Sequence, residues 1–320
     1  MQIRVLTAAD IHSAIRMKEA IDAVETAYSQ LAAGKATMPL RIPVHTDKGV
    51  SLLMPAHLHE SDDFAIKIVS VYTDNVKLNL PTVTATVLAF DPKSGLPLAL
   101  LDGESLTALR TGAAGGVAAR HLARKESRTA VLFGAGVQAR SQLLAAVTER
   151  PIEKVWVVDP FEKAIEGLKE QVATWPDAPE VLVADSPREA VSRADIVLAA
   201  TTTKTPLFDG NDLKPGTHVT GVGSFRPDMQ EIDETTVKRA RVVVDQREAA
   251  LAEAGDIIIP KATIDAEMGE VINGDKPGRE NDEQITFFKS VGLAVQDAVT
   301  AGAVLRAAVE KGLGTVIQMS

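Results

Sequence analysis

The sequence contains no cysteine, and this absence excludes several classes of protein at once. A chain of 320 residues without cysteine has no disulfide framework, no thiol nucleophile and no zinc site built on thiolates. Basic residues are also scarce relative to acidic ones, 34 against 43, so the formal net charge is −9. An acidic chain without a basic block is a poor candidate for binding nucleic acid or an anionic membrane.

Long apolar stretches are lacking as well. No run of about 18 apolar residues is present, and the N-terminal segment MQIRVLTAADIH lacks the apolar core of a signal peptide. We therefore expect no membrane span and, because the lack of cysteine suits a reducing compartment, a cytoplasmic location. Hydrophobic residues make up 45% and charged residues 24% of the chain, as in globular proteins, and the length suits about two domains.

The first third of the chain predicts a mainly antiparallel sheet flanked by a helix. Apolar residues recur at helical spacing from Met17 to Leu31, and Gly34 ends this pattern. From Met38 to Leu101 the period changes to two, which is typical of strands joined by short turns. The strands predicted there are Phe64–Val71, Thr82–Phe90 and Leu96–Leu101.

After Glu104 the pattern alternates between strands and helices, which favours a parallel, doubly wound sheet. A late strand at Ile285–Lys289 precedes a long helix from about Gly292 to Lys311. The change of pattern places a domain boundary near residue 120. The other predicted strands are Thr129–Phe133, Lys154–Val158, Val181–Val183, Ile196–Ala200, His218–Val222 and Arg241–Val244.

A glycine-rich turn directly follows the strand Thr129–Phe133 and opens a helix. In the run Gly134-Ala135-Gly136-Val137-Gln138-Ala139, the first glycine permits a tight turn and the second lets the backbone approach a pyrophosphate. Asp159 ends the next strand roughly 20 residues later, where an acid binds the ribose hydroxyls and repels a 2′-phosphate. The motif predicts a dinucleotide site that prefers NAD(H) over NADP(H); the alternative is a tight turn without a ligand.

Three cationic residues have two interpretations each. Lys67 lies among apolar neighbours, either on an edge strand with its ammonium in water or partly desolvated, with a lowered pKa, binding a carboxylate or moving a proton. Arg110 precedes small residues from Gly112 to Gly116, which indicate close helix packing or an arginine near the cofactor or an acidic substrate. Arg41 is similarly ambiguous, with a surface arginine as the default interpretation. His57 and His59 do not form a zinc motif, so no metal site is expected.

Several segments together resemble the ornithine cyclodeaminase/mu-crystallin family over essentially the whole chain. In order, they are Met54–His57, the strand with Lys67, Pro81-Thr82, Leu109–Gly115, Gly134–Ala139, Gly223–Asp233, Gly269–Ile272 and Ser290–Ala294. The resemblance implies a homodimer with a Rossmann-like, doubly wound α/β domain and a second α+β domain whose sheet is largely antiparallel. We expect the second domain, for substrate and dimer contacts, to comprise 1–119 plus 300–320, and the NAD-binding domain to comprise 120–299.

The resemblance also assigns residues to roles. Arg41, Lys67 and Arg110 form the cationic pocket for the carboxylate of a small imino or amino acid. Lys67 is the expected proton-transfer residue, with Asp228, from the opposite domain, as the second. The expected cofactor-binding residues are Arg110, Thr111, Gly134, Gly136, Val137, Gln138, Asp159, Thr201, Thr202, Val222 and Gly292.

One departure from the family pattern bears on the reaction. Members that release ammonia from ornithine carry an aspartate where this chain has Phe225, and here Asp228 follows three residues later. This variant resembles the ketimine reductases and some alanine dehydrogenases. We therefore expect an NAD(P)H-dependent reductase of a small cyclic imino acid, such as 1-pyrroline-2-carboxylate, or a related amino-acid dehydrogenase. The alternatives are an ornithine cyclodeaminase with tightly bound NAD and a non-catalytic ligand-binding protein.

Overall fold

The computed structural model describes residues 1–319, which divide into two units. The first unit comprises Met1–Arg110 and the residues from Leu293 onward, and the second comprises Thr111–Gly292. The sequence-based division (1–119 plus 300–320, and 120–299) sets its boundaries some residues further along the chain, and Ser320 lies outside the described residues. One observed boundary falls inside the helix α3, Gly103–Leu122, and a change in hydrophobic pattern does not locate a boundary within a continuous helix.

The first unit is built on an eight-stranded sheet in the order β16-β1-β7-β6-β5-β4-β2, with β3 also paired to β4. All its pairings are antiparallel except that of β1 with β7. Strands β1 and β16, which come from the two chain ends and lie next to each other at one side of this sheet, were not predicted. The strands are β1 (Gln2–Leu6), β2 (Ala36–Thr37), β3 (Ile42–Thr46), β4 (Gly49–Leu58), β5 (Asp63–Val71), β6 (Val83–Phe90), β7 (Pro97–Asp102) and β16 (Thr315–Gln318).

Helices α1 (Ala8–Ala14), α2 (Met17–Ala32) and α11 (Ala294–Glu310) belong to the first unit. Helix α1 begins at a capping box in which Thr7 Oγ1 accepts from the Asp10 amide while the Asp10 carboxylate accepts from the Thr7 amide. Helix α11 packs on β4, β5 and α2 and is buried over most of its length. A short 3-10 helix spans Thr73–Leu78.

The second unit is a parallel sheet of eight strands in the order β10-β9-β8-β11-β12-β15-β13-β14. Alternate residues of the central strands face two separate cores: Val131 and Phe133 of β8 face one, and Ala130 and Leu132 face the other. A sheet that is buried on both faces in this way is doubly wound. The strands are β8 (Thr129–Phe133), β9 (Lys154–Val158), β10 (Glu180–Val183), β11 (Ile196–Ala199), β12 (His218–Gly221), β13 (Ala240–Val244), β14 (Ala266–Glu267) and β15 (Ile285–Lys289).

Seven short helices connect these strands. They are α4 (Val137–Glu149), α5 (Glu162–Val172), α6 (Pro187–Arg193), α7 (Glu234–Arg239), α8 (Arg247–Glu253), α9 (Gly255–Ile258) and α10 (Met268–Ile272), and a 3-10 turn spans Gly210–Asp212. The α/β fold, with one doubly wound parallel sheet and a second, largely antiparallel sheet, confirms the predicted fold class. No helix within residues 1–319 is long and apolar enough to cross a bilayer.

Candidate active site

Lys67 lies in the interior of the first unit's sheet. Its strand, β5, pairs with β4 on one side and β6 on the other, so that Met54 and Val87 are its neighbours across the sheet. The side chain is only 2% exposed. The interpretation of Lys67 as an edge-strand lysine pointing to water is therefore wrong, because β5 has no free edge.

One carboxylate joins Lys67 to Arg110. Asp297 Oδ2 lies 2.7 Å from Lys67 Nζ, and Asp297 Oδ1 accepts a hydrogen bond of 2.9 Å from Arg110 Nε. All three side chains are buried. Strand β5 supplies the lysine, the first half of α3 the arginine and the first turns of α11 the aspartate. The chain thus brings together groups from positions that are far apart in the sequence.

Further hydrogen bonds orient the Arg110 guanidinium. Its Nη1 donates to Gln296 Oε1 at 2.8 Å, and Gln296 Nε2 donates to the hydroxyl of Tyr28 at 2.5 Å. Both Gln296 and Tyr28 are fully buried. The guanidinium is therefore fixed at two of its nitrogens before any ligand arrives, and such preorganisation lowers the entropic cost of binding.

The electrostatic environment makes Lys67 able to change its protonation near neutral pH. Burial lowers the pKa of Lys67, and the positive charges of Arg110 and Arg41 lower it further, whereas Asp297 raises it; the result is a pKa of about 7. Arg41 is half-buried and near enough to act on the lysine. Arg41, Lys67 and Arg110 are thus close enough to form one cationic cluster, and the burial of the lysine supports its desolvated interpretation. That this cluster is the substrate pocket implied by the family resemblance stays a prediction.

In the second unit, the glycine turn after β8 has the geometry that a pyrophosphate requires. Gly134 has φ +92°, and a Cβ added there would lie 2.8 Å from the Ala200 carbonyl oxygen. Gly136 is the N-cap of α4, and a Cβ added to it would meet nothing within 4 Å. The amides of the first helical turn, at Val137 and Gln138, have no partner within the helix and are suited to an anion.

Asp159 stands at the end of β9 and braces this turn. Its Oδ2 accepts from the Ala135 amide and its Oδ1 accepts from the Phe161 amide, both at 2.8 Å. A carboxylate oxygen has two lone pairs, so each oxygen retains acceptor capacity for a ribose hydroxyl. The arrangement suits the adenosine half of a dinucleotide.

Two buried carboxylates hold the loops at the other strand ends. Glu231 Oε1 accepts from the amide and hydroxyl of Thr201, while Oε2 accepts from the amide of Gly223, next to Val222. Asp245 Oδ2 accepts from the amide of Gly292 at 2.9 Å. Burial raises the pKa of both acids. These hydrogen bonds to buried carboxylates fix the loops that carry Thr201, Val222 and Gly292. Thr202, in contrast, is exposed.

The small residues after Arg110 allow two helices to approach closely. A Cβ added at Gly112 would lie 2.1 Å from Ser141 Oγ, and one at Gly115 would lie 1.9 Å from Gln142 Oε1. Gln142 Nε2 also donates to the Thr111 carbonyl at 2.6 Å. The glycines therefore serve the packing of α3 against α4, while Arg110 serves the cationic cluster. The helix-packing interpretation of this segment is therefore confirmed, and a place for Arg110 near the cofactor or an acidic substrate stays a prediction.

Asp228 lies in an exposed loop of the second unit. Its carboxylate accepts from Lys204 Nζ at 2.6 Å and from Arg226 Nε at 3.1 Å, and these hydrogen bonds lower its pKa. A carboxyl group with a lowered pKa is ionised at neutral pH and can accept a proton but has none to donate. A role for Asp228 in proton transfer stays a prediction.

Sequence reasoning missed Asp297, Gln296, Glu231 and Asp245. Asp297 had a detectable signal: it is the single acid in the first turns of a mainly apolar helix, where a buried charge needs a partner. Glu231 and Asp245 had none, because an acid in a loop or after a strand is by default exposed. Within residues 1–319, no group of three or more histidine, aspartate or glutamate side chains is placed to hold a metal ion.

Comparison with known proteins identifies the family. The family model for "Ornithine cyclodeaminase/mu-crystallin family" matches residues 1–312. A Delta(1)-pyrroline-2-carboxylate reductase of Bacillus cereus is 37% identical over 324 residues, covering 98% of this chain and 99% of the relative.

Two solved structures are also similar over nearly the full chain. The Thermococcus litoralis Delta(1)-pyrroline-2-carboxylate reductase, solved with NADH and L-proline, has a TM-score of 0.92 and 43% identity, covering 98% of this chain and 99% of its own. An archaeal alanine dehydrogenase dimer with bound NAD has a TM-score of 0.92 and 37% identity, with 100% of both chains covered. These matches confirm the resemblance seen in the sequence motifs: the chain belongs to the ornithine cyclodeaminase/mu-crystallin family.

Proposed function

We propose that this protein is an NADH-dependent reductase of a small cyclic imino acid such as 1-pyrroline-2-carboxylate. The observation that carries the proposal is the buried cluster of Lys67 and Arg110 around Asp297. With half-buried Arg41, this cluster has three positive charges when Lys67 is protonated and one negative charge, which suits an anionic substrate. The similarity to reductases of pyrroline-2-carboxylate supports this choice of substrate.

The cluster would bind the substrate by its carboxylate. Arginine binds a carboxylate through two parallel N–H donors, and its charge does not vary at neutral pH. Arg110, fixed by Asp297 and Gln296, is preorganised for this task. Arg41, which is less buried, would complete the binding of the carboxylate.

Lys67 would supply the proton that the reaction consumes. Reduction of a C=N bond adds a hydride to carbon and a proton to nitrogen, and NADH, when bound, supplies the hydride. A lysine with a pKa of about 7 carries a proton on half of the molecules at neutral pH and gives it up readily. Neither arginine can do this, so the proton donor is Lys67.

The second unit would hold the cofactor. The open space at Gly136 and the N-terminus of α4 suit the pyrophosphate, and Asp159 suits the ribose hydroxyls of NAD(H). Negative charge at Asp159 also disfavours the 2′-phosphate of NADP(H). Steady-state kinetics with NADH and NADPH test this preference, and equal efficiency with NADPH would contradict it.

Alanine dehydrogenase is the second candidate function. It adds a hydride to the same kind of carbon, one bonded to nitrogen, and an archaeal alanine dehydrogenase is as similar in fold as the reductase. The cationic cluster accepts the carboxylate of either substrate. The two candidate substrates differ in the part of the molecule away from the carboxylate, where the cationic cluster does not discriminate between them.

One set of assays separates the candidate functions. The protein is incubated with NADH and 1-pyrroline-2-carboxylate, with NADH, pyruvate and ammonia, and separately with ornithine, while NADH absorbance and proline formation are followed. We expect NADH oxidation with the cyclic imine. Proline formation from ornithine without added cofactor would instead identify a cyclodeaminase, and no turnover with any of these would favour a ligand-binding protein.

The protein is further proposed to form a homodimer. Large apolar side chains of the first unit are more than 45% exposed on β3 and on the segment 73–83, namely Ile42, Val44, Val76, Leu78, Leu80 and Val83. These segments are neighbours, because Thr46 Oγ1 donates to the Tyr72 hydroxyl at 3.1 Å. Exposed apolar patches of this kind mark interaction surfaces. A cytoplasmic location stays a prediction from the cysteine-free composition.

A further inference from the structure

Asp297 occupies a position that no substrate-binding role explains. Its two carboxylate oxygens are used by Lys67 Nζ at 2.7 Å and Arg110 Nε at 2.9 Å, and the side chain is 1% exposed. An anion so placed would repel the carboxylate of a substrate if it faced it. Its effect must therefore pass through the two cations that it contacts.

We propose that Asp297 is the positioning residue of the cluster: it aligns the proton donor Lys67 with the carboxylate-binding Arg110 and supplies the negative charge that keeps a proton on Lys67. This inference rests on the proposed function, in which Lys67 donates the proton. Asp297 itself touches neither the substrate nor the cofactor in this assignment.

The charges around Lys67 explain why such a residue is needed. Arg110 and Arg41 both disfavour a proton on the lysine, as does burial, and Asp297 is the group that favours it. The neighbours of Lys67 in the sheet, Met54 and Val87, carry no charge. Without Asp297 the lysine would be a buried amine beside two guanidinium groups, and it would lose its proton below neutral pH.

Geometry supports the same role independently of charge. Arg110 donates to the Asp297 carboxylate through Nε and to Gln296 through Nη1. These two hydrogen bonds together fix the plane of the guanidinium. Helix α11 packs directly on β5, the strand of Lys67, which holds the aspartate in place. Asp297 thus sets both the orientation of Arg110 and the protonation of Lys67.

The isosteric change Asp297→Asn tests the proposal. We expect the pH at which imine reduction is half-maximal to fall by roughly one to three units, because an opposite charge at contact distance shifts a pKa by about that much. At pH 7 the turnover should fall about fivefold or more. Asp297→Glu, which restores the charge, should restore the midpoint of the pH profile even where the longer side chain lowers turnover.

A second measurement does not depend on activity. The pKa of Lys67 is followed by NMR in lysine-labelled protein, with the signal assigned by comparison with Lys67→Met. Asp63→Asn is the matched control, because Asp63 is a buried carboxylate of the same unit paired with Arg306 rather than with Lys67. We expect the pKa of Lys67 to fall in Asp297→Asn and to remain near its wild-type value in Asp63→Asn.

The outcomes distinguish this inference from the proposed function. A lowered pKa of Lys67 in Asp297→Asn, in a protein that reduces no imine, would support the role of Asp297 in holding the proton and refute the proposed reaction. An unchanged pKa in a folded Asp297→Asn variant would refute the inference, whatever the enzyme reduces. An unchanged pH profile in an active variant would refute it as well.

Discussion

Charge balance around Lys67 explains the chemistry expected of this protein at the scale of single residues. Burying a charge costs several kcal/mol unless it is paired, and Asp297 neutralises only one of the cations that surround it. The cluster therefore retains an excess of positive charge in a buried setting. A substrate carboxylate would complete the balance, so the cluster favours small organic acids over neutral ligands.

Replacing Lys67 by alanine should remove the proton donor. We expect turnover of the cyclic imine to fall at least about a hundredfold, the usual scale for a general acid. NADH affinity should change little, because Lys67 belongs to the first unit, whereas the glycine turn and Asp159 proposed to hold the cofactor belong to the second. Activity at saturating imine and NADH fluorescence titration measure the two effects.

Lys35→Ala is the matched control for this variant. Lys35 is a lysine of the same unit whose side chain is 52% exposed and paired with Glu60 at the surface, outside the proposed dimer patch. Its loss should leave turnover within about twofold of wild type, since exposed ion pairs contribute little. Near-normal turnover in Lys67→Ala would show instead that the lysine has no part in proton transfer.

The pH dependence of the reaction should follow the protonation of Lys67. Burial and the neighbouring arginines lower its pKa to about 7, and only the protonated lysine can donate. For imine reduction, kcat/KM should therefore be highest below pH 7 and fall as the pH rises through it. For the reverse oxidation of the amino acid, which needs the neutral amine of Lys67, kcat/KM should rise over the same pH range. A flat profile in both directions would contradict the assignment.

Asp159 should determine the choice between the two nicotinamide cofactors. Asp159→Asn removes the negative charge but keeps an oxygen that accepts from the Ala135 amide. We expect kcat/KM with NADPH to rise about tenfold, equivalent to about 1.4 kcal/mol, with a smaller change for NADH. Asp177→Asn, at an exposed acid of the same unit, is the control and should alter neither value.

At the scale of elements, the two glycines of the turn between β8 and α4 have separable tasks. Gly134 is required by the fold, because its φ is +92° and a side chain would meet the Ala200 carbonyl. Gly136 faces open space with an ordinary φ of −77°. We therefore expect the protein to tolerate a side chain at Gly136, and this side chain would occupy the space proposed for a pyrophosphate.

Gly136→Ser should weaken cofactor binding without loss of stability. Serine is a better N-cap than glycine, so the Tm should stay constant or rise slightly, while NADH affinity falls at least about tenfold. Gly134→Ala, in contrast, should lower the free energy of unfolding by about 1–3 kcal/mol, the cost of strained backbone. Thermal unfolding and NADH titration of both variants test the pair. Equal NADH affinity in Gly136→Ser and wild type would argue against a pyrophosphate at this turn.

Local patterns predict those elements whose residues carry the signal themselves. Strands β5, β6 and β8 and the turn at Gly134 were recognisable from periodicity and glycine spacing. Strands β1 and β16 were not, because each is short and pairs only with strands distant in the sequence, as Gln2 does with Gln318 and Arg4 does with Ala99. For the same reason Lys67 and Arg110 could be singled out, whereas their pairing with Asp297 could not be predicted, because these contacts form only in the fold.

At the scale of the whole molecule, the exposed apolar surface of the first unit should control the oligomeric state. Leu78→Asp places a charge in the patch formed by β3 and the segment 73–83, where Leu78 is 68% exposed. We expect the proposed dimer to dissociate to a monomer, as measured by light scattering during gel filtration. Val183→Asp, at an exposed valine of the second unit, should leave the dimer intact. A wild-type monomer would contradict the proposed homodimer.

The discontinuity of the first unit has a consequence for synthesis on the ribosome. Lys67 and Arg110 emerge early, but their counter-ion Asp297 lies on α11, which is translated after the entire second unit. At common translation rates, Asp297 is synthesised on the order of ten seconds or more after Lys67 and Arg110. The second unit, Thr111–Gly292, is continuous and can fold during that time. We therefore expect the second unit to fold before the cationic cluster, which can close only when the C-terminal helix has left the ribosome.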